Sequence, residues 1–149
     1  MADQPGNGLH IHLHLEEANG ARAFFKKDEQ MSDALAWSLG GLLHHMRASM
    51  PIFAPTPESL LRFQQAGDHT PTTVSWGANN RSCALRLPDA APEQKRIEHR
   101  VPCADTDPQA VIAVILQAVH DGIKNQRLPG PQTYGNASLP AYGLPSLIA

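Results

Sequence analysis

Residues 9–15 read LHIHLHL, so aliphatic side chains alternate with imidazoles over seven positions. Strict alternation predicts a β-strand with two unlike faces, because successive side chains of a strand point to opposite sides of the sheet. The aliphatic face favours a core, whereas strand pairing does not require histidine. A histidine on a strand is more often hydrogen-bonded or solvated than a metal ligand, and both interpretations stay open at this point. His10 and His14 would lie about 13 Å apart, too far to bind one ion.

The sequence KRIEHRVP predicts a second strand whose polar face carries Arg96, Glu98 and Arg100. A carboxylate between two guanidiniums is typical of an ion-pair ladder across a sheet. Arg81 and Arg86 in the preceding segment make the same face too cationic for one glutamate to neutralise. Because a planar guanidinium pairs well with phosphate and carboxylate groups, the pattern favours an anionic ligand.

Glu98 is the acidic residue that this pattern places on the face of the histidines. One imidazole among carboxylates is a donor set that Mg²⁺ or Mn²⁺ accepts. The sequence has no GxGxxG and no Walker motif. A cation, an arginine cluster and no glycine-rich phosphate loop together indicate a nucleotide bound on a sheet.

Composition narrows the class of protein. The chain has 149 residues, 42% of them hydrophobic, with 12 basic and 14 acidic residues. This charge balance argues against nucleic-acid binding by bulk positive charge. The opening MADQPGNG lacks signal-peptide features, and the apolar run 110–116 is too short to span a bilayer. We therefore predict a cytoplasmic protein without membrane or nucleic-acid partners, in which Cys83 and Cys103 are free thiols.

Cap and proline signals predict three helices, over residues 32–48, 57–63 and 108–125. The pair Gly40-Gly41 lies inside the first helix, where each glycine costs about 1 kcal/mol relative to alanine. Such a pair indicates close packing against another backbone. The residues of the third helix predicted to face the core are Val111, Ile112, Ile115 and Val119.

The turn pair Asn19-Gly20 predicts a hairpin with a short second strand around 21–25. TTVSWG and RSCALRLP predict two further strands, and residues 129–149 predict an extended tail. This element order, with short links, predicts an α+β fold in which helices cover one face of an antiparallel sheet. The strand that begins so soon after Met1 and the uncapped apolar end GLPSLIA suggest that both ends are cut from a longer chain.

Four motifs in this order and spacing resemble the glutamine synthetase family: GNGLHIHLHL, NRSCALRLP, KRIEHRVP and HDGIKN. The resemblance runs from about Pro5 to Asn136 and is to the C-terminal part of the catalytic domain. It implies that residues 1–149 are a segment of that domain, without the N-terminal β-grasp domain and the first half of the catalytic domain. It also implies that the full-length form is a ring-shaped homo-oligomer.

The activity that the resemblance implies is ATP-dependent ligation of glutamate with ammonia or an amine through γ-glutamyl phosphate, assisted by Mg²⁺ or Mn²⁺. His10 and Glu98 match ligands of the metal beside the ATP phosphates, and His12 matches a nucleotide contact. The arginines implied around the ATP phosphates and the transferred phosphoryl group are Arg81, Arg86 and Arg96.

Glutamate-binding positions are also implied, at Arg62, Arg100 and the backbone of Gly6. His69 falls, after a one-residue insertion, where glutamine-forming members carry a glutamate that helps to bind and deprotonate ammonium. A neutral imidazole accepts a proton but does not attract ammonium as a carboxylate does. With Arg81 and His69 as catalytic candidates, we hypothesise an organic amine acceptor, as in γ-glutamyl-polyamine-type relatives.

Two alternatives remain open from the sequence: a non-catalytic metal- or nucleotide-binding module, and an inactive remnant of such a ligase. The family needs further carboxylates for its metals, and the acids at Glu16, Glu17, Asp28 and Glu29 lie in predicted turns. We therefore expect the isolated chain to bind ATP weakly and to have no ligase activity.

Overall fold

The computed structural model describes residues 7–24, 31–64 and 69–148. Its strands are β1 (Ile11–Leu13), β2 (Trp76–Ala78), β3 (Leu85–Leu87) and β4 (Ile97–His99). Its α-helices are α1 (Asp33–His45), α2 (Met50–Phe53), α3 (Pro57–Leu61) and α4 (Pro108–Lys124). Two short 3-10 turns, Pro92–Gln94 and Pro140–Tyr142, complete the regular structure of the described residues.

The four strands form one sheet in the order β1-β4-β3-β2. The predicted α+β class is confirmed, but the sheet is mixed rather than antiparallel throughout, because β2 and β3 pair in parallel. The short link 79–84 carries the chain back so that Leu85 lies beside Trp76. Asn79 begins this reversal with a φ of 46°, a left-handed conformation that asparagine tolerates better than most residues.

The predicted helix starts are confirmed. The Ser32 hydroxyl accepts the Leu35 N–H at 3.2 Å, and Thr56 forms a capping box with Ser59. The Asp107 carboxylate accepts a hydrogen bond from the Gln109 N–H at 2.9 Å. These side chains satisfy backbone donors that the first helical turn leaves without an intrahelical partner.

The predicted hairpin is present in reduced form. Gly20 turns the chain with a φ of 83°, and beyond it a single antiparallel bridge joins Arg22 to Glu16. The second strand is therefore one bridge long within the described residues, and Phe25 lies outside them.

Helices α1 and α4 pack backbone against backbone, as the glycine pair predicted. A Cβ atom on Gly41 would lie 2.2 Å from the Ala118 carbonyl oxygen, and one on Gly122 would lie 2.2 Å from the Trp37 carbonyl oxygen. A Cβ on Gly40 would lie 2.1 Å from a carbonyl oxygen beyond the end of α4. These positions exclude any larger residue unless the helices separate.

The core lies between the sheet and these helices. Three of the four residues predicted for the core face of α4 are buried, namely Val111, Ile115 and Val119. The prediction for Ile112 is wrong, since its side chain is 45% exposed. Ile112 lies one residue, or about 100°, away from the stripe that repeats every four residues.

Strand β4 is buried on both faces, because helices cover one side and polar side chains the other. Ile97 is fully buried in the core, and the His99 ring makes an edge contact with the Phe53 ring at a centroid distance of 4.8 Å. Cys83 and Cys103 are buried free thiols, as predicted. In the part of the chain that the structure describes, no helix has the length and apolar character needed to cross a membrane.

Candidate active site

The register of the sheet aligns three polar side chains across neighbouring strands. His12 on β1 lies opposite Glu98 on β4, and Glu98 lies opposite Arg86 on β3. The Glu98 carboxylate is 5% exposed and has three neighbours. Oε1 accepts Arg100 Nη1 at 2.8 Å and lies 3.0 Å from His10 Nδ1, while Oε2 accepts Arg86 Nη1 at 2.8 Å. We call His10, Arg86, Glu98 and Arg100 the Glu98 cluster.

The cluster fixes the charge states of its members. Burial by itself would raise the pKa of Glu98, but hydrogen bonds and charge from Arg86 and Arg100 outweigh it and hold that pKa below its usual value. Burial, with the nearby positive charge of Arg100, lowers the pKa of His10. At neutral pH the cluster therefore contains a carboxylate, a neutral imidazole and two guanidiniums, with an excess of positive charge.

Arg62 and Arg100, which the resemblance implied for glutamate, are anchored to the protein itself. Arg62 Nη1 donates to the Val101 carbonyl at 2.8 Å and the Pro102 carbonyl at 3.2 Å, and its Nη2 donates to the Arg100 carbonyl at 3.0 Å. Arg100 Nη2 donates to the His69 carbonyl at 2.9 Å. Arg62 thus binds the chain just beyond β4, and Arg100 joins Glu98 to the segment that carries His69.

Unsatisfied donors remain within this group. The Nε atoms of Arg62, Arg86 and Arg100 are buried without a hydrogen-bond partner among the described residues. Buried polar groups are usually paired, so two orphaned donors on the arginines that contact the Glu98 carboxylate, Arg86 and Arg100, are unusual for a purely structural core.

Arg96 and His12 meet at the exposed side of the same face. Arg96 Nε donates to His12 Nδ1 at 3.3 Å, an arrangement that assigns the proton of a neutral His12 to Nε2. The structure therefore brings two of the predicted nucleotide contacts, His12 and Arg96, together next to the Glu98 cluster.

Arg81 and His69 line a cavity of about 460 Å³ on the β2–β3 side of the sheet. The link 79–82 and the tail around Tyr134 form its other walls. Arg100 donates to the His69 carbonyl, so a hydrogen bond links the wall of this cavity to the Glu98 cluster. Gly6, implied for glutamate binding, lies outside the described residues.

The donors present fit a hard divalent cation in kind. Adjacent ligands of an octahedral ion at about 2.1 Å are separated by about 3.0 Å, and His10 Nδ1 and Glu98 Oε1 are 3.0 Å apart. A neutral imidazole and an ionised carboxylate are also the ligand forms that a metal requires. The number of donors is smaller than a full site needs, since the described residues contain no group of three His, Cys, Asp or Glu residues able to hold a metal.

Sequence reasoning missed two contributors to the site. The Asn79 side-chain oxygen accepts from Arg86 Nη2 and so fixes the second end of that guanidinium. His99 is buried beneath the cluster, and burial lowers its pKa to about 3, so it packs as a neutral ring. The Asn79-Asn80 pair between two strands was the available signal for the first, because asparagine favours left-handed turns.

Comparison with known proteins adds the family. The protein-family model described as the catalytic domain of glutamine synthetase matches residues 1–141 of this chain. Gamma-glutamylputrescine synthetase PuuA of Escherichia coli (strain K12) is 35% identical over 96% of this chain and 30% of its own length. Glutamine synthetase of Pyrococcus abyssi is 38% identical over 84% of this chain and 28% of its own length.

A solved GmaS/ADP complex superposes with a TM-score of 0.83 and 30% identity, covering 95% of this chain and 34% of that one. The chain therefore spans about a third of the length of the relatives it matches. The match covers all four motifs on which the sequence resemblance rested. This chain belongs to the glutamine synthetase catalytic-domain family.

Proposed function

We propose that this chain is part of an ATP-dependent ligase that joins glutamate to ammonia or an organic amine through γ-glutamyl phosphate. The supporting observation is the Glu98 cluster, in which one buried carboxylate is surrounded by more positive charge than it neutralises. Such a cluster stabilises a further anion, and a triphosphate supplies one of high charge.

His10 and Glu98 would hold the divalent cation, as two members of a larger ligand set. Mg²⁺ or Mn²⁺ bound there would neutralise phosphate charge. His12 and Arg96 lie beside this pair and would contact the nucleotide. Arg86, fixed by Glu98 and Asn79, would present the remaining N–H donors of its two Nη atoms toward the phosphates without reorganisation.

The reaction needs two anions to meet. A γ-carboxylate oxygen of glutamate bonds to the γ-phosphorus of ATP while ADP leaves, and the amine nitrogen then bonds to the acyl carbon while inorganic phosphate leaves. Arg81 would stabilise the charge of the transferred phosphoryl group, and His69 would take the proton that the amine loses. Both residues line the same cavity, as these paired roles require.

The acceptor amine follows from His69. Relatives with similar identity are named for putrescine and for glutamine synthesis, so overall similarity does not separate the two acceptors. An imidazole in place of a carboxylate removes the negative charge that attracts ammonium. We therefore infer an organic amine rather than ammonia, and an assay of the full-length enzyme with ammonia and a panel of amines tests this. A preference for ammonia would contradict it.

A second candidate, a cation- and nucleotide-binding module without turnover, is favoured by one observation. Arg62 and Arg100 donate to the protein itself rather than presenting free forks to a substrate. The Glu98 cluster offers only two metal ligands, His10 and Glu98. The chain alone is therefore expected to bind ATP weakly and to show no turnover. Turnover by the purified chain would contradict this expectation.

The binding experiment measures Mn²⁺ affinity by electron paramagnetic resonance, with and without ATP. Glu98→Gln is expected to weaken Mn²⁺ binding by about tenfold or more, because it replaces a charged ligand by a neutral one. Glu93→Gln is the matched control, since Glu93 is exposed on the 3-10 turn before β4. Equal affinity of the two variants for Mn²⁺ would refute the assignment of the site.

A further inference from the structure

Residues 133–136, which we call the tail wall, form one side of the cavity that contains Arg81 and His69. The wall is fixed to the β2–β3 link by side-chain hydrogen bonds. Asn80 Nδ2 donates to the Gly135 carbonyl at 2.6 Å, and the Ser82 hydroxyl accepts the Ala137 N–H at 2.8 Å. The tail wall therefore has a defined position relative to the loop that carries Arg81.

Its backbone is held from the sheet side as well. The Thr133 N–H donates to the Trp76 carbonyl at 2.9 Å, and Thr133 is buried. Gly135 has a φ of 80°, which glycine adopts without strain and which turns the chain directly after Tyr134. Anchors on both sides leave the Cα atom of Tyr134 little freedom to move.

The Tyr134 side chain contrasts with this anchored backbone. It is 71% exposed and lines the cavity. Among the described residues it takes part in no ring contact, and no hydrogen bond of its hydroxyl group is formed with them. An aromatic ring on a fixed main chain is a contact surface that loses little conformational entropy when a ligand covers it.

We propose that Tyr134 is a specificity-determining residue whose ring covers the carbon chain of the organic acceptor amine. This inference rests on the proposed function, because it takes the amine nitrogen to lie toward His69 and Arg81 in the same cavity. Ammonia has no carbon chain and gains nothing from the ring. The tail wall thus adds to His69 a second reason for the site to select an organic amine.

The test uses the whole chain, labelled with ¹⁵N and titrated with ammonium, methylamine, ethylamine and butylamine. Amide shifts of residues around the cavity report the dissociation constant of each probe. In the wild type, affinity is expected to rise along the series by about fourfold for each methylene that the ring removes from water. In Tyr134→Ala this dependence on chain length should disappear, while ammonium binding stays the same.

Two further variants separate the ring from trivial effects. Tyr134→Phe keeps the ring and should therefore keep the rise in affinity with the chain length of the amine. Leu128→Ala removes another exposed apolar side chain, 74% exposed and outside the cavity, and should also keep it. If affinity still rises with chain length in Tyr134→Ala, the role of Tyr134 is overturned, while the proposal of an organic amine acceptor stands. Failure of every amine to shift the cavity amides overturns the acceptor proposal together with it.

Discussion

Replacement of Arg62 separates its structural role from the substrate role that the sequence implied. Its guanidinium donates to three main-chain carbonyls, at 2.8, 3.0 and 3.2 Å, around the end of β4. A hydrogen bond contributes about 1 kcal/mol net and somewhat more when the donor is charged, so Arg62→Ala should lower the free energy of unfolding by about 3–5 kcal/mol. Arg62→Lys keeps the charge without the planar fork and should lose about half as much.

Urea unfolding followed by far-ultraviolet circular dichroism measures these differences in the isolated chain. Arg22→Ala is the control, because Arg22 forms an exposed ion pair with Glu16 at 2.7 Å. Exposed pairs contribute about 0–1 kcal/mol, so this variant should unfold almost as the wild type does. If Arg62→Ala is as stable as Arg22→Ala, the carbonyl contacts do not stabilise β4 and the substrate role regains support.

Two other predictions follow from contacts away from the site. Gly122→Ala places a Cβ 2.2 Å from the Trp37 carbonyl oxygen, so it should destabilise the chain by about 1–3 kcal/mol despite the better helix propensity of alanine. Hydrogen bonds from His45 and Arg127 lower the pKa of Asp121 to about 2 from 3.8. Stability from this carboxylate is therefore complete above pH 4 and is lost as the pH falls toward 2, which unfolding at a series of pH values would record.

Each of these has a control within the chain. Gly130→Ala adds a Cβ with nothing within 4 Å and should leave stability almost unchanged. The titratable or charged residues His120 and Lys124 lie in the same surface pocket as Asp121, so the acid titration is compared with that of Asp121→Asn. If Asp121→Asn loses as much stability between pH 4 and pH 2 as the wild type does, Asp121 is not the cause of the acid dependence.

Local signals predicted local structure well in this chain. Alternation put Glu98 on the face of the histidines because the side-chain period of a strand is fixed by backbone geometry. The caps at Ser32, Thr56 and Asp107 were predictable because each satisfies donors within its own first turn. Ile112 was misplaced, since an aliphatic residue next to a core stripe has the same composition signal as one within it.

The hydrogen-bond partners of long side chains were not predictable from the sequence. Nothing near Arg62 indicates that its guanidinium reaches carbonyls some 40 positions further along the chain. The parallel pairing of β2 with β3 was hidden for a related reason. It depends on Asn79 and the link after it reversing the chain without forming a hairpin.

The same dependence on tertiary contacts connects the two halves of the candidate site. Glu98 Oε1 contacts both His10 and Arg100, and Arg100 also holds the carbonyl of His69. A cation between His10 and Glu98 would therefore compete with Arg100 for the same oxygen and act on the position of the His69 segment. Residues that the sequence assigned separately, to metal and to acceptor, are thus linked through one guanidinium that the sequence assigned to glutamate.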